Sequence, residues 1–462
     1  REVAYAGVSR TRRRWLHGQV ARALELVHTT DLDRAAGMIA GHFEAARLPA
    51  QAIAYYDRAA AAARGVYAHH EALDALDKAN SLLDALPDQG TRRELEAHML
   101  EEIGDLREFL TQHIPARNAY VAALACAPHV DTVARARLHR KIGKTLDNER
   151  VDLTQVAAHY ETAETLLGTP DRDAAETTWW DEWCQVQLEH LILLYWWGRP
   201  GDLGERIARV RPLIERHGTP AQRASLFENL NRQLNRRQRY APSDDALDNN
   251  RAVLAALPAS ASPEQRAPHQ FTLGFNLLWH GDLAEAEATL RSALDTAEQT
   301  GDVSLQVRCL TYLGVVCRRQ GRDAEMEPIA RRGLGVAEAA GILAYIGANR
   351  AGLAWVAWRR NNLPAAERLA QAALDAWRLQ AMSYPFSWQA LWPLIGVAVA
   401  QDRIADAVIY ARRLCEPDQQ VLPPQLEALL TAAAGAWDAG RPDEARDFLN
   451  RALAMAQKSN LS

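Results

Sequence analysis

Histidine and cysteine are the residues from which this chain could build a metal site or a nucleophile. Its histidines form no HExxH pattern, and the adjacent His69 and His70 fall on different faces of one predicted helix. The five cysteines include no CxxC pair, so they support neither a zinc site nor a disulfide framework. No serine or cysteine has a histidine near it in an arrangement typical of nucleophilic catalysis. The sequence therefore predicts no catalytic residue, no metal and no cofactor, and it favours a protein that is not an enzyme.

Glycine-rich segments are a second source of chemistry, because their backbone can cradle a phosphate. The phosphate-loop pattern GxxxxGK[ST] does not occur in the sequence. The segment GRPGDLGER, which begins at Gly198, has a similar spacing of glycines but follows a predicted helix rather than a strand. We interpret it as a turn between helices, and this chain is not expected to bind ATP in that way.

Length and charge limit the remaining classes of function. A chain of 462 residues is too long for one hydrophobic core of ordinary size, so it must form domains or repeated units. The formal net charge of −5 favours no polyanionic partner, and the basic segment NRQLNRRQRY is expected to pair with acidic residues of the next repeat rather than with nucleic acid. No window approaches the roughly 18 apolar residues of a membrane span. The scattered cysteines favour a reducing, cytoplasmic setting.

The elements that must position any site recur with a fixed period. The short turns GDLAEAE, GRDAEME, NNLPAAE and QDRIADA follow one another at intervals of 40 residues, and GRPDEAR comes 39 residues later. Segments rich in Gly, Pro and Ser lie about midway between them. Each unit is therefore predicted to be an A helix, a short turn, a B helix and a longer connection. Self-similarity of this kind is typical of a solenoid, in which each unit buries its apolar face against its neighbours.

Small residues recur at fixed distances from these turns. Seven residues before the turn stands Gly274, Gly314 or Ala354, and alanines recur five and twelve residues after its first residue. This pattern resembles the tetratricopeptide repeat, although the usual repeat has about 34 residues. The resemblance implies an all-α, right-handed superhelical solenoid of helix-turn-helix repeats. The repeats are regular over residues 185–462 and less regular over residues 31–184.

The first segment carries a second resemblance. REVAYAGVSRTRRRWLHGQVARALE resembles the end of the winged-helix module in bacterial signal-transducing ATPases (STAND proteins), where that module leads into a helical-repeat arm. The HFEAA segment at residues 42–46 and the AxxYxxxA segment at residues 52–59 resemble the first repeat after it. The resemblance implies that residues 1–30 are the C-terminal part of a winged-helix or linker module. It also implies that the rest is a sensor arm cut from a transcription regulator whose ATPase module lies upstream. The matching residues are Tyr5, Arg12, Arg13, Leu16, His17, Val20, Ala21, Leu24 and Glu25.

The tetratricopeptide resemblance also points to a groove. In that family the A helices form the inner surface, which places inward positions ten, six, three and two residues before each turn. Aromatic rings, Asn amides and Arg guanidinium groups at these positions could hold an extended peptide or a ringed anionic molecule. An alternative interpretation places the same aromatic residues in the core between repeats. The predicted groove residues are Tyr195, Asn231, Asn235, Phe271, Phe275, Thr311, Arg318, Trp355 and Trp358.

Two further aromatic clusters leave alternatives open. The segment at residues 177–200 contains Trp179, Trp180 and Trp183, which would form either a tight helix junction or a surface for a partner. The segment SYPFSWQALWP, with Tyr384 and Phe386, would either cap the C-terminal part of the groove or form a packed loop.

These observations predict a sensing arm that binds a peptide, a protein segment or a small effector in its groove. The alternative is a constitutive protein–protein scaffold that binds without switching. Neither hypothesis involves direct contact with nucleic acid or a membrane.

Overall fold

A computed structural model describes residues 8–149, 152–170, 177–258, 260–380, 384–459 and 461. The described residues contain twenty-two α-helices, one short 3-10 helix (Leu83–Ala85) and no strand. The first eight helices are α1 (Arg10–Val27), α2 (Leu32–Ala45), α3 (Pro49–Gly65), α4 (His69–Ser81), α5 (Gln89–Phe109), α6 (His113–Cys126), α7 (Thr132–Glu149) and α8 (Leu153–Leu167). The other fourteen are α9 (Thr177–Trp197), α10 (Pro200–His217), α11 (Pro220–Arg237), α12 (Asp244–Ala256), α13 (Pro263–His280), α14 (Leu283–Thr300), α15 (Val303–Arg319), α16 (Asp323–Ala340), α17 (Leu343–Arg359), α18 (Leu363–Arg378), α19 (Trp388–Ala400), α20 (Ile404–Leu414), α21 (Pro424–Asp438) and α22 (Pro442–Lys458).

The chain divides into two compact units. Unit 1 runs to Thr145 and includes His159–Pro170, and unit 2 comprises Leu146–Ala158 and the residues from Asp171 onward. Helices α9 to α22 of unit 2 form seven successive pairs of an A helix and a B helix. The predicted all-α helical-repeat fold is therefore confirmed. The predicted boundaries at residues 30 and 184, which rest on sequence resemblance and regularity, stay predictions.

One turn geometry joins the A helix to the B helix in each of the seven pairs. A residue with positive φ ends the A helix, and the residue after it donates its N–H to the carbonyl five residues earlier, at 2.7 to 3.2 Å. This is the six-to-one hydrogen bond of a Schellman motif. Gly, Asn or Asp tolerates the left-handed conformation, which explains most of the residues found there. The positive-φ residues are Gly198, Arg239, Gly281, Gly321, Asn361, Asp402 and Gly440.

Unit 1 uses the same turn with less suitable residues. Arg47, Tyr67 and Thr111 have φ values of 58°, 61° and 60°, and each is followed by the same hydrogen bond to the carbonyl five residues back. A side chain with a Cβ pays about 1–2 kcal/mol for this conformation. The repeat geometry thus continues through unit 1 although its turn residues do not reveal it.

Small residues let bulky side chains of the neighbouring helix pack closely. A Cβ on Gly274 of α13 would lie 2.8 Å from Leu290 of α14. The same arrangement occurs in unit 1, where Tyr120 packs over Gly104. The alanines that follow the turns by five and twelve residues are fully buried, as the sequence pattern predicts: Ala286, Ala293, Ala366, Ala373, Ala445 and Ala452.

A ladder of charges joins α5 to α7 in unit 1. Arg137 donates two hydrogen bonds to Glu101, at 2.7 and 3.0 Å, and Lys141 donates a third at 2.6 Å. Lys141 also donates to Asp105 at 2.7 Å, which in turn accepts from the hydroxyl of Tyr120 at 2.8 Å. Burial alone would raise the pKa of Glu101, but Arg137 and Lys141 outweigh it and lower that pKa to about 2.

Replacing Arg47 with Gly should stabilise unit 1 by about 0.5–1 kcal/mol, because Gly adopts φ 58° without a Cβ penalty. Arg47 is exposed, so few other contacts change. Gly440→Ala is the matched control in unit 2: its Cβ would meet no atom within 4 Å, so only the backbone penalty remains and stability should fall. Urea unfolding curves measure both changes. Equal changes of the same sign in the free energy of unfolding of the two variants would contradict the assignment of a left-handed backbone penalty to Arg47.

Glu101 should make the stability of unit 1 depend on pH. Because its folded pKa of about 2 lies below the ordinary value of 4.5, its contribution is complete above pH 4.5 and is lost as the pH falls towards 2. The shift corresponds to roughly 3 kcal/mol. Glu101→Gln should lower the free energy of unfolding at pH 7 and flatten its decline between pH 4.5 and 3. The exposed Glu94→Gln on the same helix should change neither quantity.

Candidate binding pocket

The A helices of five successive repeats in unit 2 (α9, α11, α13, α15 and α17) line one cavity of about 80 Å³. The cavity is smaller than the roughly 300–1,000 Å³ of pockets that enclose a drug-sized ligand. It can therefore accept one side chain or a group of similar size. Its aromatic wall consists of Tyr195, Trp196, Tyr240, Phe271, Phe275, Tyr312, Tyr345, Tyr384 and Phe386.

Phe386 closes one side of this wall. Its ring stacks on Trp279 at a centroid distance of 4.7 Å and an interplanar angle of 9°, and it meets Phe275 edge-on at 6.0 Å. The loop that carries Phe386 is held by the loop after α20. There, Gln420 donates its backbone N–H to Pro385 at 2.9 Å and accepts from the indole of Trp388 at 2.8 Å. The aromatic wall thus includes a segment outside the repeat pattern.

That second loop is also tied to the turn after α11. Arg239 donates from its side chain to the carbonyl of Gln419 at 2.9 Å, and Val421 donates its backbone N–H to the carbonyl of Arg239 at 3.0 Å. These partners are about 180 residues apart in sequence. They hold the loops around the pocket against one of the seven turns, the one that carries Arg239.

Two asparagines of α11 line the cavity, and their side-chain hydrogen bonding is incomplete. Asn231 is 7% exposed, and its side chain makes no hydrogen bond with any described residue. Asn235 donates to Oδ1 of Asn276 at 2.8 Å, while its own Oδ1 is buried without a partner. A buried polar group left in this state costs about 1–3 kcal/mol, so such groups normally bind water or a ligand.

A charged group lies beside the asparagines. Glu228 accepts from Arg232 at 3.1 Å, and its Oε1 lies 2.6 Å from Nδ1 of His269 in a contact that is not aligned as a hydrogen bond. Burial alone would raise the pKa of Glu228, but His269 and Arg232 outweigh burial and keep the pKa below its usual range. Arg308 of α15 completes the polar lining, with its guanidinium 4.0 Å from the ring centroid of Phe271.

The structure brings together five of the nine predicted groove residues. Tyr195, Asn231, Asn235, Phe271 and Phe275 all line the cavity. Thr311 is buried one position from Tyr312 and accepts a hydrogen bond from Asn349 at 2.9 Å.

Of the other three predicted groove residues, Arg318 and Trp355 are buried in the interior and Trp358 is half-buried. Arg318 has no exposed surface and donates to the carbonyl oxygens of Gln389 at 2.9 Å and Leu461 at 2.8 Å. Trp355 is 1% exposed, and the ring of Trp358 lies directly over Gly396 of α19. Helix α19 packs against α17 here and covers Trp358 at Gly396. The expectation that these three residues face a groove is corrected accordingly.

Sequence reasoning missed Arg308 and Glu228. Both lie thirteen residues before the first residue of the next turn segment, at Gly321 and Ala241. A residue thirteen positions before the turn is one helical turn upstream of the residue ten positions before it, so the two lie on the same helix face. Extending the inward positions by one turn would have identified both residues.

The tryptophan cluster and the basic segment both lie among contacts within the chain. The rings of Trp179, Trp180 and Trp183 are buried, and Trp180 stacks on His217 of α10 at 3.7 Å, so this cluster is a helix junction. The basic segment does not pair with acidic residues of the next repeat as expected. Arg232 binds Glu228 on its own helix, and Arg239 binds backbone carbonyls.

The described residues offer little for metal or thiol chemistry. They contain no group of three or more His, Cys, Asp or Glu side chains that could hold a metal ion. Burial raises the pKa of the Cys184 and Cys309 thiols to about 12, so both stay protonated. Within the described part of the chain, no helix combines the length and apolar character needed to cross a membrane.

Comparison with known proteins supports the fold. No family model and no curated protein matches the chain. Among solved structures, a Rap protein complexed with competence and sporulation factor is similar over 78% of this chain and 96% of its own, with a TM-score of 0.54 and 12% identity. A STAND protein with a tetratricopeptide repeat sensor from Pyrococcus horikoshii has a TM-score of 0.45 and 13% identity over 82% of this chain and 54% of its own. Aspartyl phosphate phosphatase F from Bacillus subtilis has a TM-score of 0.46 and 10% identity over 80% of this chain and 94% of its own.

At 12% identity, the likeness to the Rap protein is a likeness of fold alone. In its fold, this chain is therefore a tetratricopeptide-like helical-repeat protein. Its unit of about 40 residues is longer than the usual one.

Phe386→Ala should destabilise unit 2 by about 3 kcal/mol, because it removes a buried ring from the aromatic wall. The fluorescence of Trp279, which stacks on that ring, should change as well. Phe227→Ala is the control, since Phe227 is 41% exposed on α11 and its loss should cost less than about 1 kcal/mol. Similar losses in the two variants would show that Phe386 does not close the pocket.

Proposed function

We propose that this chain is a ligand-sensing arm that binds an extended peptide, or a peptide segment of a partner protein, in the pocket of unit 2. The observation that carries the proposal is the amide of Asn231, which makes no hydrogen bond with any described residue and lies inside an aromatic wall. A carboxamide can donate to a backbone C=O and accept from a backbone N–H. Asn231 would bind the peptide backbone, and Asn235, one helical turn further on, holds Asn276 beside it.

The pocket shape is consistent with a peptide. The cavity of about 80 Å³ accepts one side chain, and the aromatic rings around it supply apolar contact for that side chain. The remaining residues of the peptide would lie along the A helices, whose next polar groups are Thr272 and Arg232. A peptide that contacts several repeats at once would then connect those repeats non-covalently.

The sensing role rests on the resemblance of the first segment to a STAND regulator. Tyr5 of that segment lies outside the described residues. Helix α1 exposes apolar side chains, including Trp15 at 61% and Val27 at 73%, as a helix next to another module would. The Rap protein of similar fold was solved with competence and sporulation factor bound. Under this proposal an upstream ATPase module reads the bound state, and coupling of roughly 1–3 kcal/mol would suffice.

A synthetic hexapeptide pool with free termini tests the proposal. The pool is mixed with the chain, the protein-bound peptides are separated by size exclusion, and they are sequenced by mass spectrometry. Retained peptides should lose roughly tenfold in affinity with Asn231→Ala, because the amide hydrogen bonds are lost. Asn450→Ala, an exposed Asn on α22, should bind as the wild type does. No retained peptide, or equal binding to Asn231→Ala, would contradict the proposal.

Solution scattering of the chain with its best peptide separates a sensor from a scaffold. A sensor should change its radius of gyration when the peptide binds. An unchanged scattering curve with full binding would instead support a constitutive interaction scaffold.

A further inference from the structure

Arg308 is the charged group of the pocket that has no partner. It is half-buried, its guanidinium lies 4.0 Å above the ring centroid of Phe271, and it makes no hydrogen bond or ion pair with any described residue. Other arginines of unit 2 are paired: Arg322 with Glu287 at 2.6 Å, for example, and Arg403 with Glu367 at 2.5 Å. A desolvated charge without a partner is costly, so this position needs an explanation.

The nearest carboxylate does not neutralise Arg308. Glu228 is already in contact with Arg232 and His269. Burial by itself would lower the pKa of Arg308, but Tyr345 and Glu228 raise it above its usual range, so the guanidinium stays charged. One carboxylate therefore faces two guanidinium groups, and the pocket carries an excess of one positive charge even when His269 is neutral.

The surroundings of Arg308 select the geometry of a binding group. The ring of Phe271 covers one face of the guanidinium, which leaves the N–H groups at its edge available for a planar acceptor. None of its nitrogens is fully sealed from the cavity. One excess positive charge matches a monoanion, and a carboxylate accepts two parallel hydrogen bonds from a guanidinium.

We infer that Arg308 is the specificity-determining residue of the pocket and binds a carboxylate of the ligand, next to an apolar side chain held by Phe275 and Tyr312. This inference rests on the proposed peptide-binding function. The carboxylate can come from the C-terminus of a peptide or from an Asp or Glu side chain. Both present the same chemistry to Arg308.

Three synthetic hexapeptide pools test the inference on the full chain. The first contains neutral residues with a free C-terminal carboxylate, the second contains the same residues with a C-terminal amide, and the third adds one Asp or Glu to amidated peptides. The first or the third pool should yield binders, and the pool that does so identifies the source of the carboxylate. The second pool should yield none within a factor of ten of their affinity.

Variants of the arginine complete the test. Arg308→Gln should weaken the selected peptides roughly 10- to 100-fold, since a charge-assisted bidentate contact is lost, and Arg308→Lys should fall between Gln and the wild type. Arg378→Gln, at a mainly exposed arginine of α18, is the control. Circular dichroism and melting curves verify that each variant is folded.

The failures of the two proposals look different. If no pool yields a binder, the peptide-binding function itself fails, and the inference fails with it. If neutral amidated peptides bind as tightly as the others and lose affinity with Asn231→Ala but not with Arg308→Gln, peptide binding stands and the role of Arg308 is overturned.

Discussion

One backbone hydrogen bond closes every helix pair of unit 2, and the arrangement of the pocket depends on it. The bond runs from the residue after a left-handed one to the carbonyl five residues back, so the B helix returns along its own A helix. The same hydrogen bond recurs at the end of each of the seven successive A helices. Five of them can then supply side chains to one cavity, although those side chains span residues 195 to 345 in sequence. The site is a product of repetition rather than of any single motif.

The fold could be predicted from sequence wherever the left-handed position carries its preferred residue. Gly281, Gly321 and Gly440 need no side-chain contact to adopt positive φ, so they mark the period directly. Upstream, Arg47 and Thr111 occupy the same position at a cost in conformational free energy. Because neither is a glycine, the period is hard to see in the sequence there. The packing there is nevertheless of the same kind, since bulky residues of one helix fill the space over glycines of its neighbour. Unit 1 looks irregular in sequence because its turns are strained, not because its architecture differs.

The pocket was predictable only as far as the repeat stayed regular. Counting back from the turns identified Asn231, Asn235 and Phe275, because α11 and α13 follow the common register. The same count failed at Trp355, which is buried, and at Trp358, whose ring packs over Gly396 of α19. The contribution of Phe386 depends on contacts with a loop some 30 residues further along the chain, which no local pattern encodes. Periodicity predicts what repeats, and the departures from it need the three-dimensional structure.

Arg308 and Arg318 show how one helix can use the same residue type in two ways. Both are on α15, and desolvation acts against the charge of each. Burial lowers the pKa of Arg318 well below its usual range, but two backbone carbonyls and the rings of Trp355 and Trp388 surround its guanidinium, so its contacts are supplied by the chain. The ring of Phe271 covers one face of the Arg308 guanidinium, and the hydrogen-bonding edge of that guanidinium is open to the cavity. Arg318 donates to two backbone carbonyls, although its Nε is buried without a partner, whereas Arg308 makes no hydrogen bond with any described residue and lines an aromatic cavity. Under the proposed function, the difference between the two environments, rather than residue type or helix position, makes Arg308 a binding residue and Arg318 a structural one.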